Sequence, residues 1–125
     1  HVVRSRSVDG KVKILDEDYF LTSLVPKISN EIARKSIYDY LEKELHLNIS
    51  YSNKSITFEP FKDFEYQVFG KVHHSYTATV RSIVFLKDTT RFQYNVSKHL
   101  ATEFNFSLTS LKLIKSAKGN SVISC

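Results

Sequence analysis

Arg4 and Arg6 stand two residues apart in a β-forming run, so both guanidinium groups leave the same strand face roughly 7 Å apart. That spacing can straddle one phosphate through charge-assisted hydrogen bonds; the alternative is a solvent-facing pair, because arginine is mostly exposed in folded proteins. Ser36-Ile-Tyr-Asp39 has the form of a capping box, which predicts a helix starting at Ser36. A hydroxyl beside free backbone N–H groups at the positive end of a helix can hold an anion, although the same residue can serve as a cap alone. Along Thr90 to His99, the side chains of Gln93, Asn95, Ser97 and His99 share one face, and Phe92, Tyr94 and Val96 share the other. The polar face either meets solvent or lines a cavity for a polyhydroxylated ligand, and periodicity leaves both readings open.

Other chemistries find less support. His73-His74 and the run Asp16-Glu17-Asp18 are the candidates for a metal, but neighbours on a strand point to opposite faces and acidic runs usually sit on wet edges. No G-x-S-x-G turn is present, and the single cysteine, Cys125, is terminal. The three glycines are dispersed, which excludes a phosphate-gripping Gly-rich loop. No catalytic residue, metal or cofactor is therefore expected. The net charge of +5 invites a nucleic-acid reading, yet the lysines are spread out and mixed with acids, as in Lys11-Val-Lys13-Ile-Leu-Asp16-Glu17-Asp18. No apolar run is long enough to cross a bilayer, and charges occupy the first twenty residues where a signal peptide would be apolar. With one cysteine, this points to the cytoplasm, where the N-x-S/T triplets at Asn48, Asn53, Asn95 and Asn105 carry no meaning.

The elements that must position these groups can be read in outline. A composition of 42% hydrophobic and 25% charged residues over 125 positions suits one globular core. Val2 to Val8 and Lys11 to Phe20 are β-like runs around Asp9-Gly10, a hairpin signal. The helix from Ser36 buries Ile37, Tyr40, Leu41 and Leu45, with Tyr38 at the margin of that face, and leaves Asp39, Glu42, Lys43 and Glu44 wet. Ile49 to Glu59 reads as a strand with a bend or bulge at Ser52-Asn53. Phe61 to Phe69 forms a short helix ending at Gly70. Tyr76 to Leu86 and Thr90 to His99 form a second hairpin, and Thr102 to Leu108 a last strand. Residues 1–115 form the domain, and Ser116 to Cys125 a poorly ordered tail. The order predicts an α+β fold with a mainly antiparallel sheet.

The runs Arg4-Ser-Arg6-Ser-Val-Asp9-Gly10-Lys-Val, Leu15-Asp16-Glu-Asp-Tyr19 and Lys35-Ser36-Ile-Tyr-Asp-Tyr-Leu-Glu resemble the effector-binding (UTRA-type) domain of GntR-family transcription regulators. Asp18-Tyr19-Phe20-Leu21 and Asp88-Thr-Thr-Arg-Phe-Gln93-Tyr94 through Lys98-His99 are similar to its trehalose-operon branch, and the likeness runs from about Val2 to Ser107. The resemblance implies a chorismate-lyase-like fold and a homodimer formed through this domain. It also implies that operator DNA is bound only by an upstream winged helix-turn-helix domain absent from this chain, which begins at His1 without Met and reads as a fragment. The implied ligand is a sugar phosphate, trehalose 6-phosphate in that branch. Its phosphate would be held by Arg4, Arg6 and Ser36, and its sugar by Asp16, Gln93 and His99. Gln93 and His99 stand where related sensors carry an acid and an aromatic residue, and Val12, Leu100 and Ala101-Thr102 also depart from the family pattern. The same fold leaves two alternatives open: a chorismate-lyase-type enzyme, and a dimerisation module without ligand.

The implied site makes a geometric demand. A plain two-residue Asp9-Gly10 turn would pair Arg4 with Leu15 and put Asp16 on the face opposite the arginines. A three-residue turn, Val8-Asp9-Gly10, would pair Arg4 with Ile14 and Arg6 with Val12 and keep Asp16 on the arginine face; that longer turn is the expectation.

Overall fold

The structure, a computed structural model, describes residues 1–104 and the backbone of 120–124. One sheet of six strands, all pairs antiparallel, has the order β3-β4-β5-β2-β1-β6. Its strands are β1 (Val2–Val8), β2 (Lys11–Phe20), β3 (Ile49–Pro60), β4 (Tyr76–Leu86), β5 (Arg91–Leu100) and β6 (Asn120–Ser124). Three short helices accompany it: α1 (Asn30–Arg34), α2 (Ile37–Asp39), which runs into a π-helical segment at Tyr40–Glu44, and α3 (Asp63–Phe69). The predicted α+β class and antiparallel sheet are present.

The first hairpin decides which side chains can meet. Val8 pairs with Lys11 across a two-residue turn in which Asp9 (φ 53°) and Gly10 (φ 76°) are both left-handed, so the expected three-residue turn is wrong. A bulge follows at once: Ser7 pairs with Val12 but Arg6 with Ile14, leaving Lys13 as the extra residue on β2. That residue shifts the phase by one, so Arg4 lies opposite Asp16 and the two share a face after all. A second bulge sits in β5, where Val84 pairs with Gln93 but Phe85 with Arg91. The extra residue, Phe92, thereby leaves the face of Tyr94 and Val96 and joins a core cluster with Val84. A third lies at Ser50, between Ile49 and Tyr51, rather than at Ser52-Asn53 as expected. From there on Ser52, Lys54, Ile56 and Phe58 pair with Val84, Ser82, Val80 and Ala78 on one face.

The segment between β2 and β3 folds over one end of this face. Val25, Ala33, Ile37 and Leu41 pack with Val2, Val84, Leu86 and Phe92 in the main core. Helix α1 was not expected; the Ser29 hydroxyl caps it by accepting from the Ile32 N–H (3.2 Å). Ser36 caps α2 by accepting from the Asp39 N–H (3.3 Å), as the capping box requires. Helix α3 covers the opposite face, where buried Glu65 accepts from Lys98 on β5 (3.0 Å), and Gly70 (φ 76°) ends it. The expected last strand from Thr102 is instead a 3₁₀ turn at Ala101–Glu103, and positions 105–108 lie outside the described residues. Asn120–Ser124, expected to be without order, pairs with β1, because an edge strand's free backbone groups can be met by any extended chain, apolar or not. Among the described residues no helix is long and apolar enough to cross a membrane.

Candidate ligand-binding site

Beside the core, the same face sinks into a cavity of about 360 Å³. Arg4 and Arg6 on β1, Asp18 on β2, Gln93 and Asn95 on β5, Ser82 on β4 and Lys54 on β3 all line it, with Tyr38 of α2 and Glu42 of the π-helical segment opposite. The polar side of β5 is thus turned inward, which resolves the two readings of that strand in favour of a cavity. The arginines are not a solvent-facing pair: Arg4 and Arg6 are 6% and 5% exposed, and Asp16 and Asp18 1% and 2%. The acidic run therefore sits on an inner strand rather than a wet edge, because β2 has a neighbour on both sides.

Each arginine reaches an aspartate diagonally across the hairpin. Arg4 Nη2 donates to Asp18 Oδ2 (3.2 Å), and Arg6 Nη2 donates to Asp16 Oδ2. Asp18 Oδ1 also accepts from Gln93 Nε2 (2.8 Å) and Asn95 Nδ2 (2.7 Å), and the Tyr38 hydroxyl donates to Gln93 Oε1 (3.4 Å). Two cations and two carboxylates so cancel at the centre of the site. Burial pushes the Asp18 carboxyl above the usual carboxylate range and nearby Asp16 adds to this, while Arg4, Asn95 and Gln93 oppose it. Burial also raises the Tyr38 hydroxyl, which stays a neutral donor. Arg4 Nε, Arg6 Nε and Asp16 Oδ1 are buried with no hydrogen-bond partner among the described residues. A buried N–H without an acceptor costs about 1–3 kcal/mol. Both guanidinium groups line the cavity, where they can meet an incoming anion.

The UTRA domain family model matches residues 1–105. The chain belongs to that family. Over 105 residues, this UTRA domain is 44% identical to the HTH-type transcriptional regulator TreR of Bacillus subtilis, covering 84% of this chain and 44% of the regulator. It is 28% identical to the regulator GmuR of the same organism over 83% of this chain and 44% of that protein. The chain spans less than half the length of these curated relatives. Among solved structures, the B. subtilis trehalose repressor (TreR) effector-binding domain superposes with a TM-score of 0.76 at 43% identity, covering 84% of this chain and 73% of that one. The regulator YydK from B. subtilis shares the fold, with a TM-score of 0.77 at 24% identity over 85% of this chain and 46% of its own. The two curated relatives are transcriptional regulators, and the TreR structure is that of a regulator's effector-binding domain.

Of the residues expected to form the site, this UTRA domain brings Arg4, Arg6 and Gln93 to the cavity wall, with Asp16 buried behind Arg6. His99 is on the same face but outside the lining; Ser97 Oγ is 3.1 Å from its Nε2 and its ring meets Phe104 edge-on. Burial lowers the His99 pKa from its usual range, with Arg6 adding to the effect and Asp16 opposing it. Ser36 is not brought there. It lines a separate outer hollow with Ser29, Lys35 and Lys43, and its hydroxyl is engaged with the Asp39 N–H. In this structure Ser36 serves as a cap, and the side chain that α2 turns to the cavity is Tyr38, two residues on. Asp18, Tyr38, Lys54 and Ser82 were missed, while Asn95 was read on the polar face with Gln93 but given no ligand role. Asp18 had a signal, since it shares a face with Asp16; Lys54 had none, because its face depends on the Ser50 bulge.

Proposed function

We propose that this chain is the ligand-sensing domain of a cytoplasmic transcription repressor and that its cavity takes a sugar phosphate, trehalose 6-phosphate first among them. The observation that carries the reading is the pair of buried arginines on the wall of a cavity that also presents amides, hydroxyls, two carboxylates and a lysine. The phosphate takes Asp18's place as partner of Arg4 and meets Arg6 beside Asp16, and the raised pKa of Asp18 eases the entry of negative charge. Gln93, Asn95 and Asp18 hold sugar hydroxyls, with Asp16 fixing Arg6 from behind and His99 bordering the far side. The likeness to the trehalose repressor supports the choice of sugar. Ligand binding then shifts a homodimer between two arrangements, only one of which spaces its DNA-binding domains, which lie outside this chain, for the operator; this needs different affinity for the two states.

A thermal-shift comparison of sugar phosphates with their unphosphorylated parents tests this. At one hundred times Kd a ligand stabilises the folded state by about 2.7 kcal/mol. Trehalose 6-phosphate is expected to raise Tm by several degrees, well above trehalose, and a flat response to every sugar phosphate refutes the reading.

A further inference from the structure

Lys54 lies on β3, the open edge of the sheet, yet its side chain is half-buried in the cavity and donates to the hydroxyl of buried Ser82 (2.9 Å). Edge-strand lysines usually point to water. The Ser50 bulge turns this one inward by setting Lys54 opposite Ser82. Its partner is a neutral hydroxyl, and an ammonium has three N–H donors, so donors remain for another acceptor. Burial lowers its pKa, in keeping with a site screened from solvent.

Lys54 and Ser82 stand at the opposite end of the floor from the arginines. Asp18 pairs with Asn95, Asn95 with Ser82 and Ser82 with Lys54, one polar row across four strands. From β2, where Arg4 meets Asp18, to β4 is two strand spacings, about 10 Å. A phosphate with one hexose ring ends short of β4, and only a longer molecule reaches β4 and β3. We propose that Lys54 and Ser82 contact the sugar unit remote from the phosphate, and so set a preference for a disaccharide phosphate over a hexose phosphate. The assignment rests on the sugar-phosphate reading above. The competing account is structural: an inward-pointing charge can protect a sheet edge from unwanted pairing.

Calorimetric titration of the chain with trehalose 6-phosphate and with glucose 6-phosphate separates these. Lys54→Met is expected to weaken trehalose 6-phosphate binding by about tenfold or more, the effect of one charged hydrogen bond, and glucose 6-phosphate by less than about twofold. Lys54→Arg should keep most of the preference, and Ser82→Ala should lose part of it, which provides a reading if Lys54→Met does not fold. Equal losses for both ligands, or none for either, overturn the assignment while leaving the sugar-phosphate reading intact. Failure of the unaltered chain to bind either phosphate overturns both.

Discussion

Exchange of Arg4 for methionine removes a guanidinium whose side chain is 7% exposed and whose partner, Asp18, is 2% exposed. Two effects follow and can be measured apart. On the stability side, removing one member of a buried ion pair costs about 3–5 kcal/mol. The lower end, about 3 kcal/mol, is expected here, because Gln93 and Asn95 still donate to Asp18 Oδ1 and the raised pKa lets the carboxyl take a proton. On the binding side, one charged hydrogen bond to phosphate is worth about 1.5–3 kcal/mol, or about 10- to 150-fold in Kd. Trehalose, which has no phosphate, should change by less than about twofold, since its hydroxyls do not need Arg4. The double variant Arg4→Met/Asp18→Asn removes both charges yet keeps an acceptor for the two amides. It should recover about 2 kcal/mol of the lost stability, but none of the lost phosphate affinity. Urea denaturation gives the first quantity and titration calorimetry the second. Unchanged affinity for trehalose 6-phosphate in Arg4→Met, or equal losses for trehalose and its phosphate, refutes the assignment of Arg4 to the phosphate.

Three further outcomes are expected. Ser36→Ala should cost about 1 kcal/mol of stability, as for other helix caps, and leave sugar-phosphate affinity alone; a tenfold loss would return Ser36 to the site. The lowered folded-state pKa of His99 means that the unfolded chain takes up this proton first as pH falls below about 6.5. The cost of His99 therefore grows as pH falls from there to its own lower pKa and stays in full below it, so His99→Gln should flatten the loss of stability between pH 7 and pH 5; an unaltered profile would count against it. Glu59 is held at about 2, chiefly by hydrogen bonds from Arg81 (2.6 and 3.0 Å) and next by Thr57. Its contribution is present above the usual carboxylate range and is lost as pH falls from there through about 2. Because the pair is about one-third exposed, Glu59→Gln should cost less than about 1 kcal/mol at pH 7, read by urea denaturation.

Much of this domain was legible because its local chemistry is strong. Asp9-Gly10 announced the first hairpin, the β-branched and aromatic run from Tyr76 to Leu86 is β4 over that same span, and Ser36 opens its helix as a cap. Helix α1 escaped because five residues give a hydrophobic period too little length to show. The arginine pair and the polar side of β5 could be picked out by residue type and spacing. Ser36 shows the limit of that signal: a hydroxyl at a helix start looks alike whether it caps or binds.

The sequence by itself determined which residues lie together on a strand, since alternation is a property of the extended backbone. It also carried the family likeness, from the arginine pair to the Gln93 and His99 strand. Only the tertiary structure decided which faces meet. Single extra residues at Lys13, Ser50 and Phe92 each shift a strand by one position, and each shift moves every later side chain to the other face. Such bulges leave little trace in composition or period, because one inserted residue looks like any other until its partner strand is in place. The meeting of Arg4 with Asp18 is set by Lys13, and that of Lys54 with Ser82 by Ser50.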